Sequence, residues 1–101
     1  KANLVREMLR KEFERVFLDV DVIATPTSPI PAFKIGEKSK DPLAMYLADI
    51  FTVPANIVGI PAISIPSGKT IAGLPLGMQF SAPHLREDAL FTIGKDFEKL
   101  Y

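Results

Sequence analysis

The segment from Pro42 to Gly68 limits the folds open to this chain more than any other part of its sequence. It is largely apolar, its only charged residue is Asp49, and prolines interrupt it at positions 42, 54, 61 and 66. A membrane-spanning helix needs about 20 consecutive apolar residues without such breaks. We therefore conclude that the segment is not a membrane span, and we expect no membrane partner.

The whole chain has the composition of a single globular unit. Its 101 residues are 48% hydrophobic and 24% charged, which suits one domain over residues 1–101 with a modest core. The 12 basic residues balance the 12 acidic residues, so charge favours neither nucleic acid nor an anionic membrane as a direct partner. There is no cysteine, which excludes a disulfide framework and a thiolate zinc site and favours a cytoplasmic location.

Helices are predicted at four places. Apolar residues recur at helical spacing over 2–18 and again over 86–101, and each pattern is typical of an amphipathic helix. The first pattern is already under way at Lys1, which indicates a piece of a longer protein. Asp41 before Pro42 predicts the capped start of a third, short helix. A fourth is expected from Thr52 to Gly59.

Short apolar strands are predicted between these helices. One begins at Val20 and ends at Pro26, a second covers 62–66 and is expected to be buried, and a third covers 76–82. Residues 67–75 are predicted to form a turn or a hairpin-like loop. The alternation of helices and strands predicts an α/β protein.

Asp49 needs an explanation because it lies near the end of a predicted helix, where the helix dipole disfavours a negative charge. Burial of an ionised carboxylate without a partner costs several kcal/mol or shifts its pKa. Two interpretations stay open. Asp49 either caps the next helix near Thr52 or is simply exposed, or it forms part of a pocket wall and holds a cationic group of a ligand.

Other candidate residues carry weaker signals. Thr25 and Thr27 flank Pro26 after a strand, where α/β folds often place ligand loops, so they form a possible pocket loop; plain turn chemistry is the alternative. A Ser–Lys pair drawn from Ser64, Ser67 and Lys69 is conceivable. The proximity of Ser67 and Lys69 to a turn instead favours a turn serine and a solvated lysine.

Neither a metal site nor a histidine-based active site is expected in this chain. His84 is the single histidine, so it cannot belong to a histidine cluster for a metal, and we expect it in a surface loop. Gly77 lies inside a predicted strand, which indicates close backbone packing.

Three blocks of sequence carry a resemblance to a known family. They read "DVIATPTSPIPAF", "DPLAMYLADIFTVPANIVGIPAISIPSG" and "GLPLGMQFSAPHLREDALFTIGKDFEKL". In this order and spacing they resemble the C-terminal part of an amidase-signature enzyme. Within that family, the middle block is most similar to the glutamine-hydrolysing subunit of the tRNA-dependent amidotransferases.

The resemblance implies an α/β/α fold with a mixed sheet between helical layers. It implies that the parent enzyme, a C–N ligase, hydrolyses glutamine to glutamate and ammonia, and that the ammonia is used to form Gln-tRNA(Gln) from Glu-tRNA(Gln). The family's Ser–cis-Ser–Lys triad has no counterpart here, so no catalytic residue is expected in this chain and the triad is expected upstream. Asp49 matches the family's aspartate that binds the α-amino group of glutamine.

The resemblance also implies partners. Other amidotransferase subunits are expected, one of which binds the tRNA and uses ATP and Mg²⁺, and no cofactor is expected in this chain. Two alternatives remain, namely a piece of another amidase-signature amide hydrolase and a non-catalytic α/β binding or interaction module. Asp49 favours the glutamine enzyme over the first alternative. The length of the natural gene product tests the second, because a product of about this length would exclude the enzyme.

Overall fold

The computed structural model describes residues 1–36 and 41–100, which contain four helices and three strands. In chain order these are α1 (Ala2–Val16), β1 (Ile23–Pro26), α2 (Pro42–Ala48), α3 (Val53–Val58), β2 (Ala62–Lys69), β3 (Pro75–Ser81) and α4 (Glu87–Glu98). The α/β class predicted from the alternation of elements is confirmed. The last predicted helix extended to residue 101, which lies outside the described residues.

The first strand starts later than the sequence predicted. Backbone N–H groups of Leu18, Asp19 and Val20 donate to carbonyl groups of the last turn of α1 at 3.0–3.2 Å. Because residue 20 is still tied to the helix end, the extended conformation begins only at Ile23.

The three described strands form one sheet with the order β1-β3-β2, and both pairings are antiparallel. Strand β2 runs three residues beyond its predicted end, because Lys69 pairs with Pro75 after an irregularity that follows Pro66. Thr70 and Leu74 close the hairpin, with the Thr70 N–H donating to the Leu74 carbonyl at 2.8 Å. The hairpin expected over 67–75 is therefore present, but shorter.

One face of the sheet packs against α4 and forms the core. Ile65, Phe80 and Leu90 are buried there, and the rings of Phe80 and Phe97 meet edge to face at 5.3 Å. Burial of each such side chain contributes about 1.5–3 kcal/mol. The core is completed by Ala82 and the partly buried Val22, Ile63, Met78, Ala89 and Ile93.

The opposite face, which we call the polar face, carries Thr25, Thr27, Ser64, Gly77 and Gln79. The prediction that residues 62–66 are buried is wrong for this face, since Ala62 and Ser64 are exposed. Side chains alternate between the faces of a strand; α4 covers one face, and the polar face is covered only in part, with Gln79 and Ser81 buried.

Helix α2 has the cap that the sequence predicted. The Asp41 carboxylate accepts hydrogen bonds from the N–H groups of Leu43 and Ala44 at 3.1 and 3.3 Å. No residue of the helix is buried.

Helix α3 has the predicted bounds and packs beside α1. Gly59 ends it with φ of 81°, a conformation that glycine adopts without steric strain. The Arg10 guanidinium on α1 donates to the Val58 carbonyl at 3.3 Å. None of the described helices combines the length and the apolar character that crossing a bilayer requires.

Candidate functional site

Asp49 is the C-terminal cap residue of α2 and is exposed. Its main-chain carbonyl, rather than its carboxylate, stabilises the start of α3. The carbonyl accepts from the N–H groups of Thr52 and Val53 at 3.1 and 3.2 Å and from the Thr52 hydroxyl at 3.2 Å. Within residues 1–36 and 41–100 the Asp49 carboxylate has no hydrogen bond or ion pair, so it is available for a ligand.

Two side chains from other parts of the chain hold the turn that carries Asp49. The Ser28 hydroxyl donates to the Ala48 carbonyl at 3.1 Å. The Gln79 side-chain amide donates to the Phe51 carbonyl at 2.8 Å. These carbonyls lie one residue before and two residues after Asp49, so the backbone on both sides of it is anchored.

Gln79 also links this turn to Thr25. It lies on the central strand β3, is only 7% exposed, and its amide nitrogen is 3.3 Å from the Thr25 hydroxyl. Thr25 itself lies within β1 rather than in the loop that follows it. The structure therefore connects two of the candidate residues, Thr25 and the Asp49 turn, through a third residue.

Thr27 belongs to a separate contact on the polar face. Its hydroxyl is 2.5 Å from that of Ser64, on the far side of β3. Gly77 lies between them, and a Cβ atom at this position would be 2.9 Å from both hydroxyl oxygens. The close packing expected at Gly77 is confirmed, and it lets two outer strands exchange a hydrogen bond across the central one.

The remaining candidates stay apart from this site. Ser67 and Lys69 lie in β2 beside the strand irregularity, and they form no hydrogen bond with each other among the described residues. His84 is exposed, as expected, with Nδ1 at 3.3 Å from the Gly59 carbonyl. No three His, Asp or Glu side chains of the described part lie close enough to share a metal ion.

Sequence reasoning missed Ser28 and Gln79. Both are uncharged, and neither belongs to a recognisable motif for ligand binding. A signal existed for Gln79, because it is the one amide side chain in the apolar strand "LGMQFSA". A polar side chain in such a strand must find a hydrogen-bond partner if it is buried, but the sequence does not say which partner.

These features define the class of protein. A model of the amidase family matches residues 1–91, and the chain belongs to that family. It is 52% identical over 99 residues to the A-subunit of glutamyl-tRNA(Gln) amidotransferase from Syntrophus aciditrophicus, and this match covers 98% of the chain and 20% of the relative. The chain thus spans about a fifth of the length of the curated relatives it matches.

Solved structures agree with the assignment to the amidase family. The crystal structure of the glutamyl-tRNA(Gln) amidotransferase A-subunit from Thermotoga maritima has a TM-score of 0.81 and 48% identity, over 86% of this chain and 19% of that one. Allophanate hydrolase of Kluyveromyces lactis matches with a TM-score of 0.82 but only 26% identity, over 94% of this chain and 16% of that one. The resemblance to the amidase-signature fold is confirmed.

Proposed function

We propose that this chain supplies part of the glutamine site in the amidase subunit of a tRNA-dependent amidotransferase, and that Asp49 binds the α-ammonium group of glutamine. The observation that carries the proposal is the exposed carboxylate of Asp49, which lies on an anchored turn and has no hydrogen bond or ion pair among the described residues. Relatives about half identical in sequence are named as that subunit, which supports the choice within the family.

The geometry suits recognition of a cation. An ammonium group has three N–H donors, and an ionised carboxylate offers only acceptors. Because the described structure uses the main-chain carbonyl of Asp49 to begin α3, the carboxylate is not needed for local stability. Because the backbone around it is anchored, the carboxylate needs little reorganisation when it binds.

The remainder of the reaction is assigned to other parts of the protein. We propose that a Ser–cis-Ser–Lys triad outside this chain attacks the side-chain amide of glutamine. Ammonia then passes to a partner subunit, which binds ATP, Mg²⁺ and Glu-tRNA(Gln). Since the product serves translation, we propose that the complex works in the cytoplasm.

Glutaminase kinetics of Asp49→Asn in the full-length, assembled amidotransferase test the proposal. Asparagine keeps the shape of the side chain and removes its charge. A hydrogen bond to a charged group contributes about 1.5–3 kcal/mol, and breaking a buried charged pair costs ~2–5 kcal/mol. We therefore expect kcat/KM for glutamine to fall roughly tenfold to several thousand-fold, while the melting temperature stays unchanged.

Asp41→Asn is the matched control, because it removes the same charge from the other end of α2 and keeps a side-chain oxygen that can cap the helix. We expect it to leave glutamine kinetics normal. A near-normal kcat/KM for Asp49→Asn, together with a clearly lower melting temperature, would show that Asp49 is structural. Equal loss on an amide without an α-amino group would instead favour a different amide hydrolase.

A further inference from the structure

The turn from Ala48 to Phe51 lacks the packing that usually fixes a binding residue in place. Helix α2 contains no buried residue, and Asp49 and Ile50 are themselves exposed. An element without buried apolar contacts has low local stability. Whatever fixes the position of the Asp49 carboxylate must therefore be polar, and the available cause is the two side-chain hydrogen bonds that tie this turn to distant parts of the chain.

We infer that Gln79 is a positioning residue for the substrate-binding carboxylate of Asp49, with Ser28 as its second anchor. This inference rests on the proposed function of Asp49. Gln79 itself does not touch the substrate; it holds the Phe51 carbonyl against the sheet and thereby sets where the Asp49 carboxylate meets the α-ammonium group.

Gln79 is suited to this task by its place in the fold. It is on the central strand of the described sheet, opposite Thr25 on β1 and Ser64 on β2, so the strand that carries it is held from both sides. Its side chain is 7% exposed, and its amide nitrogen donates to the Phe51 carbonyl at 2.8 Å and the Thr25 hydroxyl at 3.3 Å. A rigid strand thus fixes the amide, and the amide fixes the turn.

Ser28 completes the arrangement from the opposite side. Its hydroxyl donates to the Ala48 carbonyl at 3.1 Å and accepts from the N–H of Ile30 at 3.5 Å, a long contact. The two anchors act on carbonyls on either side of Asp49. Loss of either one frees one end of the turn, and small displacements of a positioned group reduce catalysis substantially.

The inference predicts a selective defect. A residue that acts through Asp49 affects only substrates that use Asp49. We therefore compare glutamine with glutaramic acid, which carries the same side-chain amide and carboxylate but no α-amino group. A residue that only supports the fold would lower activity on both amides equally, so the ratio of the two kcat/KM values reports positioning.

The experiment uses Gln79→Met and Ser28→Ala in the full-length, assembled amidotransferase. Methionine keeps the length of the side chain and removes the donor, while alanine removes only the hydroxyl. We expect the ratio of kcat/KM for glutamine to that for glutaramic acid to fall about three- to tenfold in each variant, the effect of losing one neutral hydrogen bond. The loss should be seen mainly as a higher KM for glutamine.

Asn56→Ala is the matched control. Its side-chain amide also donates to a backbone carbonyl near the turn, that of Thr52 at 3.1 Å, but it is exposed and lies in the helix that Thr52 begins. Its removal does not release the turn from the sheet, so the ratio should stay normal. Ser28→Thr, which retains the hydroxyl, should restore the ratio lost in Ser28→Ala.

The outcomes separate this inference from the proposed function. If Asp49→Asn collapses the ratio and both anchor variants leave it unchanged, Gln79 and Ser28 do not position Asp49 and the inference is wrong. If Asp49→Asn leaves the ratio unchanged, the proposed function itself fails. Should Gln79→Met not fold, Ser28→Ala decides alone. In the Asp49→Asn background, neither anchor variant should lower the ratio further.

Discussion

At the scale of single residues, Gly77 shows how little space the polar face allows. The hydroxyls of Thr27 and Ser64 meet at 2.5 Å across β3, and any side chain at position 77 would intrude on them. A Cβ atom at this position would be 2.9 Å from both hydroxyl oxygens, so a methyl group is tolerated only if these neighbours move. The outer strands are thus tied together through a gap that only glycine leaves open.

We expect Gly77→Ala in the full-length protein to lower the free energy of unfolding by about 1–3 kcal/mol, because overpacking forces the two hydroxyls apart. Chemical denaturation measures this. Ser64→Ala alone should cost less, about 1 kcal/mol for one hydrogen bond. The double variant should be less destabilised than the sum of the two, since one of the obstructing oxygens is gone. Strict additivity would contradict the contact.

The charged pair at the start of α4 gives a prediction on pH. Arg86 donates to both carboxylate oxygens of Asp88 at 3.0 and 3.2 Å, and this hydrogen bonding lowers the pKa of the Asp88 carboxyl below its ordinary value. A carboxyl whose pKa is lower in the folded state adds stability above its unfolded pKa of about 4, and that stability is lost as the pH falls through the folded pKa.

Arg86→Met should therefore raise the pKa of Asp88, as followed by NMR titration of its carboxyl carbon. Both side chains are exposed, so salt should weaken the effect as well. A pKa of Asp88 that is unchanged in the variant would show that the pair does not form in solution.

At the scale of elements, α2 and α3 are short helices that begin in different ways. Asp41 caps α2 with its carboxylate, which accepts from two N–H groups. Thr52 begins α3 without a side-chain cap, and its hydroxyl instead donates back to the Asp49 carbonyl. Because α2 has no buried residue, its cap is a large part of what stabilises it.

We expect Asp41→Ala to destabilise α2 by about 0.5–2 kcal/mol, the usual effect of losing an N-cap. Hydrogen exchange should show faster exchange at the amides of Leu43 and Ala44, which lose their acceptor. Thr52→Ala is the comparison, and the start of α3 should lose less protection because no N–H group depends on that hydroxyl. Equal effects at the two helix starts would contradict this difference in capping.

At the scale of the whole molecule, the chain is flat. Its extents are 40, 39 and 17 Å, and its radius of gyration is 15.3 Å, compared with about 13 Å for a compact domain of this length. In the described structure α4 packs against one face of the sheet, and the polar face is covered only in part, since Ala62 and Ser64 remain exposed there. Large apolar side chains are exposed on α1 as well, including Leu4, Val5 and Met8.

We therefore expect the isolated chain to self-associate or to have a low melting temperature. In the described sheet, β1 and β2 each have one edge without a strand partner, and such edges recruit other chains. Sedimentation velocity and thermal unfolding measure this, and a monomer with a sharp cooperative transition would contradict it. The same preparation should release no ammonia from glutamine, because no nucleophile–base pair is present among its described residues.

The sequence by itself determined the features that depend on neighbours along the chain. Periodic apolar residues specify α1 and α4, Asp41 and Pro42 specify the start of α2, and the turn residues specify the β2–β3 hairpin. The isolation of Asp49 in an uncharged segment was also visible. Each of these signals rests on interactions within a few residues, where the chain has few alternative conformations.

Only the tertiary structure decided how the turn at Asp49 is held. The Gln79–Phe51 bond joins residues 28 apart, the Ser28–Ala48 bond joins residues 20 apart, and the Thr27–Ser64 contact spans 37 residues. The Thr27–Ser64 contact exists because β3 lies between β1 and β2 in the sheet, and the other two exist because the turn after α2 meets β3 and the segment after β1. Strand order depends on packing against the rest of the fold, so no local pattern of apolar and polar residues specifies which carbonyl a buried glutamine will meet.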